Sequence, residues 1–165
     1  MIVLAGMLLG CAVGEIGVGG GIVAVDDGVG TGAELDLAAR GELSCEVLPF
    51  LTGELQVHAV PGRSQESGSV SVRTSVLSAP LLFGARWPRD SQLSLVGALG
   101  PELQWERTAT AVAESETATS AFSATLHGQL GARLEIGSMS LRWVLLGRID
   151  ERQPLGTLVF LNLLL

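Results

Sequence analysis

Between Ala121 and Ile136 the chain alternates between two residue classes for sixteen positions. One parity reads Phe122, Ala124, Leu126, Gly128, Leu130, Ala132, Leu134, Ile136, and the other reads Ala121, Ser123, Thr125, His127, Gln129, Gly131, Arg133, Glu135. Successive side chains of a strand point to opposite faces, so this pattern gives a strand one greasy side and gives a helix no coherent stripe. Gly137-Ser138 then suits a tight primed turn. The alternation resumes beyond it with Met139, Leu141, Trp143, Leu145, Gly147 and Ile149 on one side and Ser138, Ser140, Arg142, Val144, Leu146 and Arg148 on the other. The unit is a long β-hairpin with one apolar face and one mixed polar face.

The rest of the chain repeats that plan. Val13 to Ala24 alternates Ile16, Val18, Gly20 and Ile22 with Glu15, Gly17, Gly19, Gly21 and Val23, and its glycines thin the wall to leave room for long side chains. Asp26 to Gly30 is a turn by composition. A second strand from Thr31 to Gly41 sets Leu35, Leu37 and Ala39 against Glu34, Asp36 and Arg40, and a turn falls before Pro49. A third begins near Phe50, with Leu51, Leu55 and Val57 opposing Glu54, Gln56 and His58. Residues 61–68 form a polar loop. The strand from Ser69 to about Ala85 carries an apparent phase change at Ser78-Ala79-Pro80, which predicts a bulge. After a turn at 87–91, Gln92 to Trp105 is the next strand. Residues 106–119, rich in Ala, Thr, Ser and Glu, form the longest irregular stretch, able to extend its flanking strands as an outer hairpin. A polar loop at 150–154 precedes the last strand, Leu155 to Leu165.

These features predict an all-β fold, an eight-stranded antiparallel up-and-down barrel, with residues 13–165 as the barrel domain. Residues 1–12 stand apart as an apolar N-terminal segment, the remnant of an export signal or the beginning of the first strand. Leu8-Leu9-Gly10-Cys11 looks like a lipobox, though no basic leader precedes it. Long polar connections (61–68, 106–119, 150–154) alternate with short ones (41–48, 87–91, 137–138), so one end is loop-rich and the other trimmed, as in transmembrane barrels.

Composition points the same way. The chain is 47% hydrophobic and only 16% charged, yet its apolar residues are dispersed, which is how a membrane-spanning strand hides from a helix-style hydropathy scan. A net charge of −7, with no basic stripe, excludes nucleic acid as a partner. Two cysteines, Cys11 and Cys45, exclude a disulfide scaffold and a cysteine-based zinc cluster; Cys45, on the apolar parity, reads as a buried or lipid-facing thiol.

If the apolar parity meets lipid, the other parity fills a lumen with Glu15, Glu34, Asp36, Arg40, Glu54, His58, Arg73, Glu102, His127, Arg133, Glu135, Arg142 and Arg148. An eight-stranded barrel is just wide enough for side chains to fill, so these groups are expected to pair as plugs and leave no open channel. Catalysis would need one of the two histidines beside a serine and a carboxylate; Ser123, Ser140 and Glu135 exist, but no spacing singles them out. Two histidines without a third ligand make no metal site, and the Gly-rich stretch at 14–21 lacks the helix a dinucleotide site needs. No cofactor and no catalytic residues are expected.

The chain resembles the small eight-stranded outer-membrane β-barrels of Gram-negative bacteria, the porin-like outer membrane protein beta-barrel domain group, over about residues 13–165. The resemblance is carried by the Gly-rich first strand, Ser78-Ala-Pro-Leu-Leu82, Gly128-Gln-Leu-Gly-Ala-Arg-Leu134 before a tight turn, and the terminal Gly156-Thr-Leu-Val-Phe-Leu-Asn-Leu-Leu-Leu165. It implies an outer-membrane location, a lipid bilayer and the barrel-assembly machinery as partners, a monomer, and a structural or surface-interaction role. Two features depart from the pattern: Leu165 stands where an aromatic residue usually ends the chain, and only three Trp and four Phe are available for interface girdles, with Trp87 and Trp105 near strand ends. The competing reading is a soluble β-barrel that turns its apolar parity inward around a small apolar ligand, since alternation alone does not say which face is inside.

Overall fold

The computed structural model describes residues 11–26, 31–45, 51–62, 64–88, 91–112, 115–148 and 155–165. The apolar N-terminal segment up to Gly10, the turns expected at 27–30 and around Pro49, and the loop at 150–154 lie outside these residues. Nine strands follow in order: β1 Cys11–Asp26, β2 Thr31–Cys45, β3 Leu51–Val60, β4 Ser64–Ser67, β5 Val70–Trp87, β6 Leu93–Val112, β7 Ser115–Ile136, β8 Met139–Arg148 and β9 Leu155–Leu164. Eight of them, all but β4, close into a ring. Each pairs antiparallel with its chain neighbour, β3 pairs directly with β5, and β1 pairs with β9 to close the seam. The fold is an eight-stranded antiparallel up-and-down barrel.

The ring decides which parity faces out. Along β6, Leu103 is 66% exposed and its neighbour Glu102 is fully buried. Val18, Leu37, Leu55, Phe83, Leu99, Leu130, Leu145 and Leu161 are likewise exposed, one or more from each barrel strand. Buried positions alternate with them and include Glu15, Asp36, Arg40, Glu54, His58, His127, Arg133, Arg142 and Arg148. An apolar surface that girdles a closed ring belongs in hydrocarbon rather than in water. Its height follows from the aromatic residues. Trp87, Leu95, Ala132 and Trp143 occupy one cross-strand row near the trimmed end, and Leu77, Trp105 and Phe122 another toward the loop end. Ten residues separate Leu95 from Trp105 along β6; at ~3.3 Å per residue and a tilt of ~40° they rise ~25 Å, the height of a barrel's apolar band.

Beyond the Trp105–Phe122 row, β6 and β7 continue in one unbroken register to the Val112–Ser115 pair. Residues 106–119 are thus regular strand on both sides of the 113–114 connection, and the irregular stretch expected there resolves into the extension of its neighbours. The polar segment 61–68 also contains structure, because β4 pairs with Ser71 to Arg73 and with Val70 of β5. Together β4, the start of β5, the end of β6 and the start of β7 form a four-stranded sheet projecting from the barrel.

The bulge expected at Ser78-Ala79-Pro80 is absent: β5 keeps one register with β6 on both sides of it and one register with β3. What Pro80 marks is a gap in the ladder between Leu55–Leu81 and His58–Ser78, since proline has no N–H to offer. The apparent phase change has a different cause. Val70, Val72 and Val76 share the inward parity with Leu82, whereas Leu77, Leu81 and Phe83 face out, so the hydrophobic residues change faces while the backbone does not. The one register shift in the β1–β2 ladder falls at Gly14, between Val13 and Glu15. Gly137 takes φ +63°, as its place in the primed β7–β8 turn requires.

β1 begins at Cys11, two residues before the expected start of the barrel, and this end of the strand lies across from the end of β2. Cys11 is disulfide-bonded, and the ladder sets Cys45, the only other cysteine, directly opposite. The thiol reading is therefore corrected: the two residues, distant in sequence, meet because the hairpin register brings them together. A sulfur in a disulfide also has no thiol left for the thioether that a lipobox would create.

Candidate functional site: the charged interior

The inward parity builds a side-chain network in two connected tiers. The tier nearer the trimmed end centres on Arg40 of β2. Its Nε donates to Glu54 Oε1 (2.7 Å), its Nη1 to Glu15 Oε2 and Asn162 Oδ1 (both 2.9 Å), and its Nη2 to Glu42 Oε2. Arg142 donates to the other oxygen of Glu54 at 2.7 Å. Arg133 bonds Glu15 and Glu135, and Arg86 lies 3.4 Å from Glu15 and 3.7 Å from Glu135. Four arginines thus meet four glutamates drawn from six strands. Taking an ion out of water costs several kcal/mol, a loss repaid only when its partner is close and its remaining donors are used. Such burial is tolerable here because each charge has an opposite one.

The second tier, toward the loop end, is a ring around the lumen. His58 Nδ1 meets Asp36 Oδ2 at 2.9 Å and its Nε2 meets Gln56 Oε1 at 2.7 Å. Gln129 Nε2 donates to Gln56 Oε1 at 2.8 Å and faces His127 Nε2 at 3.0 Å. His127 Nδ1 meets Glu102 Oε2 at 2.9 Å, and Arg148 Nε donates to both Glu102 oxygens. Arg148 Nη2 closes the ring 3.8 Å from Asp36 Oδ2. Gln56 and Gln129 join the tiers, because Gln56 Nε2 donates to Glu54 and Arg142 Nη2 donates to Gln129 Oε1.

Apolar side chains fill the remaining interior. Val23, Val144, Leu146, Leu158 and Phe160 are buried beside β1 and β9, with Arg40 5.8 Å over the Phe160 ring. The glycines of β1 admit them. A Cβ on Gly19 would stand 2.6 Å from the Phe160 ring and 2.4 Å from the Val159 carbonyl oxygen. The room left by that thin wall is thus taken by the adjacent strand.

Ten of the thirteen residues expected in the lumen are buried there. Glu135 is partly exposed at the trimmed rim and bonds Arg133. Glu34 holds the inward parity near the outer end of β2 and is half-buried. Arg73 is misplaced: it is exposed on the outward parity of the projecting sheet, its Nε donating to the Pro61 carbonyl at 3.1 Å. Above the bilayer no lipid forces polar groups inward, so polarity there does not report facing. Glu42, Gln56, Gln129, Arg86 and Asn162 complete the network although the sequence reading did not single them out. Glu42, Gln56 and Gln129 share the parity of the residues singled out on their own strands. As for triad chemistry, Ser123 donates to Gln104 Oε1, Ser140 accepts from Asn162 Nδ2, and Glu135 pairs with arginines; none is bonded to either histidine.

A ring of eight antiparallel strands with a greasy exterior, a charge-paired interior and loops longer at one end defines the fold class of the small outer-membrane β-barrels. Solved structures share it. The neisserial surface protein NspA aligns with a TM-score of 0.67 at 10% identity, over 94% of this chain and 99% of its own. Ail, the attachment invasion locus protein of Yersinia pestis, aligns at 0.58 and 14% identity over 93% and 99%. A major outer membrane protein of Thermus thermophilus aligns at 0.55 and 14% identity over 92% and 98%. No protein-family model matches the sequence, and no curated protein matches it. At these identities the likeness concerns the fold alone.

Proposed function

We propose that the protein is a monomeric outer-membrane barrel with a sealed lumen, that it works through its projecting outer end as a structural or surface-interaction protein, and that it carries out no catalysis. One observation carries the reading. Side chains from opposite walls, Arg142 and Glu54, Gln129 and Gln56, bond to each other across the interior and are nearly inaccessible to solvent. A pore needs a continuous aqueous path, and these groups occupy it. With the interior filled, the segments 61–68 and 106–119 remain as the contact surface. They are rich in Ser, Thr and Ala, and most of their side chains are at least partly exposed. Two proteins that share the fold, an attachment invasion locus protein and a surface protein, fit a role outside the cell. The outward leucines weigh against the soluble alternative, since an apolar ligand would need them inside. On this reading the terminal strand Leu155–Leu164 presents the assembly signal to the barrel-assembly machinery.

The test is conductance in planar bilayers of the purified, refolded chain, alongside gel mobility with and without boiling. Closed bilayers with heat-modifiable mobility are expected. Steady single-channel steps would overturn the seal, and a detergent-free protein indifferent to boiling would overturn the membrane location.

A further inference from the structure

We propose that Arg73 and Arg107, on the outward face of the projecting sheet, clamp the phosphate of an anionic lipid at the loop-end rim of the apolar belt. Arg40, Arg86, Arg133, Arg142 and Arg148 point into the barrel, and Arg63, Arg89 and Arg152 lie outside the described residues. The two arginines that remain are both exposed, and the ladders put them on one face.

Register sets their height. Leu77, Trp105 and Phe122 form the aromatic row at this rim; the next outward-facing row is Ser75, Arg107 and Ser120, and the one beyond it is Arg73, Ala109 and Ala118. At ~3.3 Å per residue and a tilt of ~40°, Arg107 stands ~5 Å and Arg73 ~10 Å past the aromatic row. The headgroup layer is roughly 5–8 Å deep on each side of the hydrocarbon, and an arginine stem lies along apolar surface while its head seeks charge. Both guanidinium groups therefore reach the level of lipid phosphates.

The pair is arranged for one anion. Arg73 and Arg107 are diagonal neighbours across the β5–β6 ladder, a spacing of about 7–8 Å that long side chains span. Arg73 Nε donates to the Pro61 carbonyl at 3.1 Å, which anchors the guanidinium and leaves its two terminal nitrogens as donors. Neither arginine forms a salt bridge among the described residues. The carboxylates of this face, Glu66 and Glu116, fall one row further out, level with Ser71 and Ala111. From the belt outward the order is aromatic, cationic, acidic, in a chain of net charge −7. Two like charges side by side repel, and a phosphate between them accepts from both guanidinium groups. An anionic lipid brings that phosphate to the right depth, with its acyl chains against Leu77, Trp105 and Phe122. With this sheet outside the cell, as proposed above, the lipid belongs to the outer leaflet; the chemistry of the pair does not depend on that.

The experiment uses the full chain refolded in phosphatidylcholine vesicles with a minor share of phosphatidic acid, Trp105 being left as the sole tryptophan by Trp87→Phe and Trp143→Phe. Bromine is carried on the acyl chains of one lipid or the other. Quenching by brominated phosphatidylcholine is expected, and its absence would overturn the belt and the proposal together. Brominated phosphatidic acid is expected to meet Trp105 about fivefold more often than its share of the lipid, the preference that one arginine supports at a charged surface. Arg73→Gln combined with Arg107→Gln should return it to that share, while quenching by brominated phosphatidylcholine and heat-modifiable mobility stay as they were. Contact at the bulk share with both arginines in place, or a preference that survives in the double variant, would overturn the proposal and leave the belt standing. Inorganic phosphate at the concentration of the phosphatidic acid should leave the preference intact; its loss would mean that the pair takes a free anion and would overturn the lipid assignment.

Discussion

Below and above the Trp105–Phe122 pair, β6 and β7 are the same two strands in the same register, yet their residues obey different rules. Below it, from Leu93 to Gln104, exposed leucines alternate with buried polar groups such as Glu102. Above it, Thr108, Ala109, Thr110 and Ala111 face Thr119, Ala118, Thr117 and Glu116, with neither parity reserved for apolar residues. Backbone ladders hold both halves, so pairing is not what differs. What differs is the medium on each side of the sheet. Hydrocarbon outside and a polar interior impose alternation, and water on both sides relieves it.

Breaking the belt's rule from inside should have the largest effect. Arg40→Ala removes a guanidinium that three buried glutamates share and should cost about 3–5 kcal/mol, as loss of one partner of a buried ion pair does. Arg107→Ala, exposed in the projecting sheet, should stay within about 0.5 kcal/mol. Urea titration of refolded protein in lipid vesicles measures both, and equal losses would remove the distinction between the regions.

The outer face offers the next test. Leu99 lies midway between the aromatic rows, and Leu99→Arg should cost about 2–4 kcal/mol at the bilayer centre. Thr110→Arg on the same strand should cost almost nothing. A tolerated arginine at position 99, read as unchanged heat-modifiable mobility, would mean that this surface does not meet lipid. A smaller effect is expected of Gly19→Val, which drives a branched side chain against the Val159 carbonyl oxygen and the Phe160 ring and should cost about 1–3 kcal/mol by overpacking. Shortening the β6–β7 hairpin by removing 107–120 should leave folding and mobility unaltered, because no barrel strand depends on that sheet.

The same contrast explains what is legible in the sequence. Where two media constrain a strand, its facing can be read. The alternation from Phe122 to Ile136 and the turn at Gly137 fall where the pattern places them, and the charged residues on the polar parity of the belt are buried together. Where water lies on both sides, polarity carries no facing signal, so Arg73 reads as inward and residues 106–119 read as irregular. The glutamines escape for another reason. Gln56 and Gln129 carry no charge to mark them, yet they join the two tiers and meet both histidines. Glu42 escapes because it sits where the sequence suggests a turn, and the pairing of Cys11 with Cys45 because only the β1–β2 register reveals that they face each other.

The central claim is one of orientation, with leucine toward lipid and charge toward a sealed interior, and tryptophan fluorescence tests it most directly. All three tryptophans lie on outward positions, Trp87 and Trp143 in one row and Trp105 in the other. In vesicles whose acyl chains carry bromine at chosen depths, each single-tryptophan variant should be quenched, most strongly by bromines near the headgroups. Emission indifferent to brominated lipid would contradict the account.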